Sequence, residues 1–153
     1  MLKMSKLTDY GTLVLAQLSV DEGRLSSAHK VATDTHLAKP TVSKLLKTLS
    51  QAGLVISQRG TQGGYALARP PEEISAAQII DALEGPVAIT ECSSGQGLCD
   101  LETVCRVGSA WRRINTKIRQ ALEEVSLTDL QYDAQPPARP NLRATLTPHS
   151  KLS

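Results

Sequence analysis

Residues 39–68 restrict the fold more than any other stretch of the chain. Val42, Leu45, Leu46 and Leu49 stand at i, i+3, i+4 and i+7, which places one apolar stripe on a helix over about 39–52. Pro40 fits the first turn, where a missing N–H costs little, and Gly53 closes the end. Leu54-Val55-Ile56 then has strand character, RGTQGG over 59–64 supplies a turn, and Tyr65-Ala66-Leu67-Ala68 returns.

Helical spacing also marks the flanking segments. A first helix is expected over 5–20, with Ser5 as cap and Leu7, Gly11, Val14 and Leu18 on one face. A short helix over 28–34 turns Val31 and Ala32 inward, and Thr35-His36-Leu37 forms the turn into the third helix. After Pro70-Pro71, Ser75 caps a fourth helix bearing Ala76, Ile79, Ile80 and Leu83, which Gly85-Pro86 stops. Over about 108–126, Val107, Ile114 and Ala121 recur at seven, as do Trp111, Ile118 and Val125, the pattern of a seam facing another helix. The last stretch carries Pro136, Pro137, Pro140 and Pro148 without periodicity and reads as a disordered tail.

The expected fold is therefore mostly α with a small β-hairpin wing: a winged helix-turn-helix followed by a long C-terminal dimerisation helix. Four regions follow: a DNA-binding domain over 1–85, a cysteine loop over 86–106, the dimerisation helix over 107–131 and the tail over 132–153.

The net charge of +2, from 17 basic and 15 acidic residues, conceals a strong division. Residues 35–71 hold Lys39, Lys44, Lys47, Arg59 and Arg69 and no Asp or Glu, whereas 72–131 hold ten acidic residues against five basic. On the third helix Thr41, Ser43, Lys44, Lys47 and Thr48 lie opposite the apolar stripe, a short, polar and basic face of the kind that reads duplex DNA. Thr41 and Ser43 sit near the helix start, where backbone N–H groups favour phosphate. Arg59 heads the wing, where a guanidinium can enter the minor groove or hold a phosphate. The candidate DNA contacts are thus Lys39, Thr41, Ser43, Lys44, Lys47 and Arg59. The competing reading is a small helical domain with an ordinary solvated face. Aromatic residues are only 3% of the chain, which nearly excludes a base-stacking platform for single strands.

All three cysteines, Cys92, Cys99 and Cys105, fall in one loop with the spacing C-x6-C-x5-C. An odd count gathered in this way argues against a secreted disulfide framework and favours a metal or redox site. Thiolates suit the soft bonding of an iron–sulfur cluster and leave one position for another ligand. Zinc fits less well, because the C-x2-C pairs it favours are absent, and three unliganded thiols are the plain alternative. Asp100 and Glu102 are local candidates for a fourth ligand. No apolar run approaches the roughly 18 residues of a membrane span, and the start MLKMSKLTDYG lacks a signal core, so a cytoplasmic setting is expected. No nucleotide-binding glycine loop, Ser-His-Asp set or HExxH motif suggests an enzyme.

SKLTDYGTLVLAQLS, the helix-turn-helix, RGTQGGYALARPPEEISAAQIIDALEG and the cysteine triad together resemble the winged-helix iron–sulfur regulators that include IscR and NsrR. The resemblance runs from about residue 2 to 130, and the SKLTDYG start looks most like the branch regulating the SUF iron–sulfur assembly operon. It implies a cytoplasmic homodimer with crossing C-terminal helices, binding double-stranded promoter DNA and carrying a [2Fe–2S] or [4Fe–4S] cluster on Cys92, Cys99 and Cys105. IscR-like members take the fourth ligand from a His three residues after the last cysteine, but that position is Gly108 here. NsrR-like members use an Asp in an LTDYG-like segment, donated across the dimer, and Asp9 stands there. Open alternatives are a thiol-redox or zinc regulator with the same DNA-binding head, and a non-DNA-binding iron–sulfur protein such as an electron carrier.

Overall fold

The computed structural model describes residues 3–93 and 105–132. Three helices open the chain: α1 (Lys6–Val20), α2 (Ala28–Thr35) and α3 (Lys39–Gln51). Ser5 caps α1 by accepting the Leu7 N–H, and Ser27 caps α2 by accepting that of Lys30. His36 ends α2 in the left-handed region (φ 56°), and Leu37 N–H bonds back to the Ala32 carbonyl at 3.2 Å. That closing turn usually takes glycine. It reverses the chain within three residues and delivers it to α3.

The apolar stripes meet as the sequence requires. Val14, Leu15 and Leu18 of α1, Val31 of α2 and Val42, Leu45, Leu46 and Leu49 of α3 are at most 2% exposed and form one core. Leu7 differs from expectation: it is 38% exposed, because the first turn of α1 extends past the core. Gly11 is buried against Leu83, and a Cβ there would overlap that side chain, so glycine permits the close approach of α1 and α4.

Strands β1 (Val55–Gln58) and β2 (Gly64–Leu67) form an antiparallel hairpin in which Val55 faces Leu67 and Gln58 faces Gly64. The first strand extends beyond the expected 54–56, since backbone pairing continues after the apolar run ends; Ile56, Ser57 and Gln58 are all exposed. Ser26, ahead of α2, exchanges two backbone hydrogen bonds of 2.8 Å with Tyr65 and ties the hairpin to the helices.

A 3-10 turn (Pro71–Glu73) leads to α4 (Ala76–Leu83), where Ser75 and Gln78 cap each other reciprocally. A second 3-10 turn covers Glu91–Ser93, and α5 (Gly108–Glu123) follows. The helix expected over 108–126 stops at Glu123, and a separate α6 (Leu127–Tyr132) begins. The reason is local. The Asp129 carboxylate accepts the Ser126 N–H at 2.8 Å while the Ser126 hydroxyl accepts the Asp129 N–H at 3.1 Å, so Ser126-Leu127-Thr128-Asp129 starts a new helix. Val125 and Leu127 then pair with α4's approach, through Ala76 N–H to Val125 O and Leu127 N–H to Ile74 O at 2.7 Å each. Leu127 is fully buried in the same core as α1 and α3. Tyr132 therefore closes a helix, and the rest of the expected tail, 133–153, lies outside the described residues.

Candidate nucleic-acid interface and cysteine loop

On α3, Lys39, Ser43, Lys44 and Lys47 are exposed and Thr41 is half-buried. Lys39, Ser43 and Lys47 recur at four residues and share a face, with Lys44 beside them. Arg59, directly after β1, is also exposed. Among the described residues none of these four cations is in an ion pair, so their charge is directed to solvent. Thr48 is occupied locally, its hydroxyl donating to the Lys44 carbonyl at 3.0 Å. The start of α3 contrasts with α1, α2 and α4: Ala38 stands at the cap, and among the described residues no side chain caps the first N–H groups. They are left for an external acceptor such as phosphate.

The hairpin is held at a fixed angle to this helix. Gly63 lies so close to Gln58 that a Cβ would overlap the Gln58 carbonyl oxygen, and Gly64 packs onto the Ser26 backbone. Ser26, only 2% exposed, donates its hydroxyl to Asp21, which also receives Lys30 Nζ at 2.9 Å. Partial burial acts to raise the Asp21 pKa, but the Ser26 and Lys30 hydrogen bonds prevail and hold it below its ordinary value of 3.8. None of this network is legible in the sequence, where Asp21 is simply a helix-ending residue.

Asp9 is exposed in the first turn of α1. It lines an open, largely apolar groove between α1, α4 and the C-terminal helices, with Met4, Thr12, Ile79, Ile80, Leu122 and Leu130. The adjoining hollow continues past Leu13 and Ala16. Above the groove Glu84 accepts Ser5 N–H at 2.9 Å, the Thr8 hydroxyl at 2.7 Å and the Ser5 hydroxyl, and these bonds depress its pKa. Glu84, the cap of α4, thereby joins the start of α1 to the end of α4, just ahead of the cysteine loop. A separation of 79 residues hid this contact from any local reading.

Helix α5 is anchored to α4 by a bidentate Arg119–Asp81 pair at 3.0 and 2.7 Å. The first half of its apolar seam is open, with Val107, Trp111 and Ile114 57%, 40% and 42% exposed, while Ile118 is half-buried. Of the cysteines, Cys105 is half-buried with a free thiol three residues before α5. The backbone of Cys92 lies in the Glu91–Ser93 turn, which packs on α5, while its side chain and all of Cys99, Asp100 and Glu102 lie outside the described residues. One thiol-bearing segment thus packs on α5 and another leads directly into it. Gly108, where IscR-like members place a His, is buried as the first residue of α5.

The profile of the Rrf2 family, described as an iron-dependent transcriptional regulator, matches residues 4–133. A Synechocystis protein named as an HTH-type transcriptional regulator is 35% identical over 138 residues, spanning 88% of this chain and 90% of that protein. Among solved structures, CymR, the global cysteine regulator of B. subtilis, is 31% identical with a TM-score of 0.65, covering 88% of this chain and all of that one. IscR of T. potens is 32% identical with a TM-score of 0.60, covering 88% and 89%.

Proposed function

The chain belongs to the Rrf2 family of winged-helix transcriptional regulators, and from that premise we propose a homodimer that reports iron–sulfur status to promoter DNA, with SUF assembly genes as its targets. Lys39, Thr41, Ser43, Lys44, Lys47 and Arg59 contact the duplex. Cys92, Cys99 and Cys105 hold a [2Fe–2S] or [4Fe–4S] cluster, and Asp9 of the partner subunit supplies the fourth ligand. The observation that carries this reading is the position of Asp9 on an open apolar groove, together with Val107, Trp111 and Ile114 at the start of α5, which their own chain leaves exposed. A second copy laying its seam in that groove would bring one chain's cysteine loop toward the other's α1.

When bound, a cluster supplies an iron- and redox-labile tie between thiolates and a carboxylate. The chain's own residues give that tie leverage. Asp9 stands on α1, and α1 shares a core with α3 through Val14, Leu15, Leu18, Leu45, Leu46 and Leu49. A shift of α1 therefore moves the reading helix rather than dissipating in a loop. Half-sites one helical turn apart require two such helices about 34 Å apart, so a small change of spacing alters affinity for DNA. The coupling equals the difference in DNA affinity between the two states.

Likeness to CymR favours a second reading: a cysteine- or thiol-responsive regulator with the same head and no iron. Absorption and Mössbauer spectra of anaerobically isolated protein decide between them. Charge-transfer bands with matching iron and sulfide support the cluster; a colourless protein without iron or sulfide after reconstitution supports the thiol regulator. Asp9→Ala tests the fourth ligand, since an unchanged spectrum and cluster lifetime would place it elsewhere.

A further inference from the structure

Asn115, eight residues into α5, is half-buried and uses both ends of its carboxamide on one segment of the cysteine loop. Its Nδ2 donates to the Val87 carbonyl at 3.0 Å, and its Oδ1 accepts the Ile89 N–H at 3.3 Å. Bonding residues i and i+2 in this way is how a neighbouring strand would hold an extended chain. The next residues are fixed in turn. The Ser93 hydroxyl accepts the Thr90 N–H at 3.0 Å and donates to the Thr90 carbonyl at 2.8 Å, and Ser93 N–H reaches the same carbonyl at 3.0 Å. Cys92 lies inside that turn.

We infer that Asn115 is a positioning residue for the cysteine site: it pins the Cys92 turn to the helix that begins three residues after Cys105, and so pre-arranges two metal-ligating segments before any metal arrives. This rests on the thiolate-site reading above. The physical case is entropic. Between Leu83 and Gly108 the chain leaves one helix and enters another, and a loop held only at its ends would have to be ordered at the expense of binding energy. The Asn115 carboxamide satisfies two backbone groups that would otherwise need water, and it does so from a rigid helix. Supporting contacts of this kind change metal affinity by about 10- to 100-fold when removed.

The test uses full-length Asn115→Ala, Asn115→Asp and Ser93→Ala. Alanine favours the helix more than asparagine, so α5 itself is not weakened in the first variant. Aspartate keeps the acceptor for Ile89 but sets an oxygen against the Val87 carbonyl. The first readout is titration of the reduced apoprotein with Cd2+, followed by the thiolate-to-metal absorption band; the second is the lifetime in air of the reconstituted visible chromophore. Both should fall by about tenfold or more in Asn115→Ala, at least as far in Asn115→Asp, and measurably in Ser93→Ala, while thermal midpoint and DNA affinity of the apoprotein stay at wild-type values. Wild-type cadmium affinity in all three variants would overturn the inference, as would losses that merely track the thermal midpoint. If the wild type takes up cadmium but forms no iron–sulfur chromophore, the cluster reading fails and the cadmium titration still decides the role of Asn115.

Discussion

Leu127→Ala separates two views of the C-terminal segment. Read along the sequence, Leu127 belongs to the end of a dimerisation helix, and its loss should weaken association. In the structure it is fully buried in the core with α1 and α3, and its N–H bonds to Ile74 O at 2.7 Å. Truncation removes Cγ and both Cδ carbons, and at about 0.8 kcal/mol per buried methylene this costs about 2–3 kcal/mol. A cavity that the neighbouring side chains cannot close raises the figure toward about 5 kcal/mol. Urea unfolding followed by circular dichroism, at several protein concentrations, measures it. Trp111→Ala is the control: at 40% exposure on the open seam it should change intrinsic stability little and lower self-association. The reasoning is refuted if Leu127→Ala costs less than about 1 kcal/mol, or if its effect disappears at high protein concentration as that of Trp111→Ala should.

Lys44→Ala should weaken operator binding and reduce the slope of log affinity against log salt by about one, the signature of one lost phosphate contact; an unchanged slope and affinity would remove Lys44 from the interface. Gly63→Ala forces a Cβ into the Gln58 carbonyl and should lower DNA affinity through the displaced wing, while a wild-type affinity would show that the hairpin can turn without glycine. Asp21→Asn tests the strut behind the wing. Because the folded-state pKa of Asp21 lies below 3.8, its stabilisation is complete above the unfolded value and is lost as pH falls through the folded one. The stability gap between wild type and Asp21→Asn, measured by urea unfolding, should therefore be largest near neutrality and close toward pH 3, and a pH-independent gap would assign the effect to packing. His36→Gly should raise the thermal midpoint, with a gain of about 1 kcal/mol from relieving a left-handed non-glycine residue; a lowered midpoint would mean that the His36 side chain has a stabilising contact.

Periodicity in the sequence determined the helices, the hairpin and the exposed cations because each depends on residues within one or two turns of one another. The i, i+3, i+4, i+7 stripe of Val42, Leu45, Leu46 and Leu49 fixes which side of α3 is buried, and the opposite side then carries Lys44 and Lys47 outward. The segregation of five basic residues into 35–71 was equally legible, since it needs only counting. Even the break between α5 and α6 left a local trace in Ser126 and Asp129, which the longer seven-residue repeat obscured.

What tertiary structure alone decided are the contacts that close over long spans. Ser26 pairs with Tyr65 across 39 residues of chain, Ser5 and Thr8 meet Glu84, and Asn115 grips Val87 and Ile89. Leu127 returns from beyond α5 to fill the core of a head that its sequence position would place outside it. Hydrogen-bond partners of this kind carry no sequence spacing: a serine, a glutamate or an asparagine reads as solvated until the fold brings a backbone group within reach. The sequence thus specified the exposed basic face of α3, and only the packed chain revealed how the cysteine loop, α1 and the wing are tied to it.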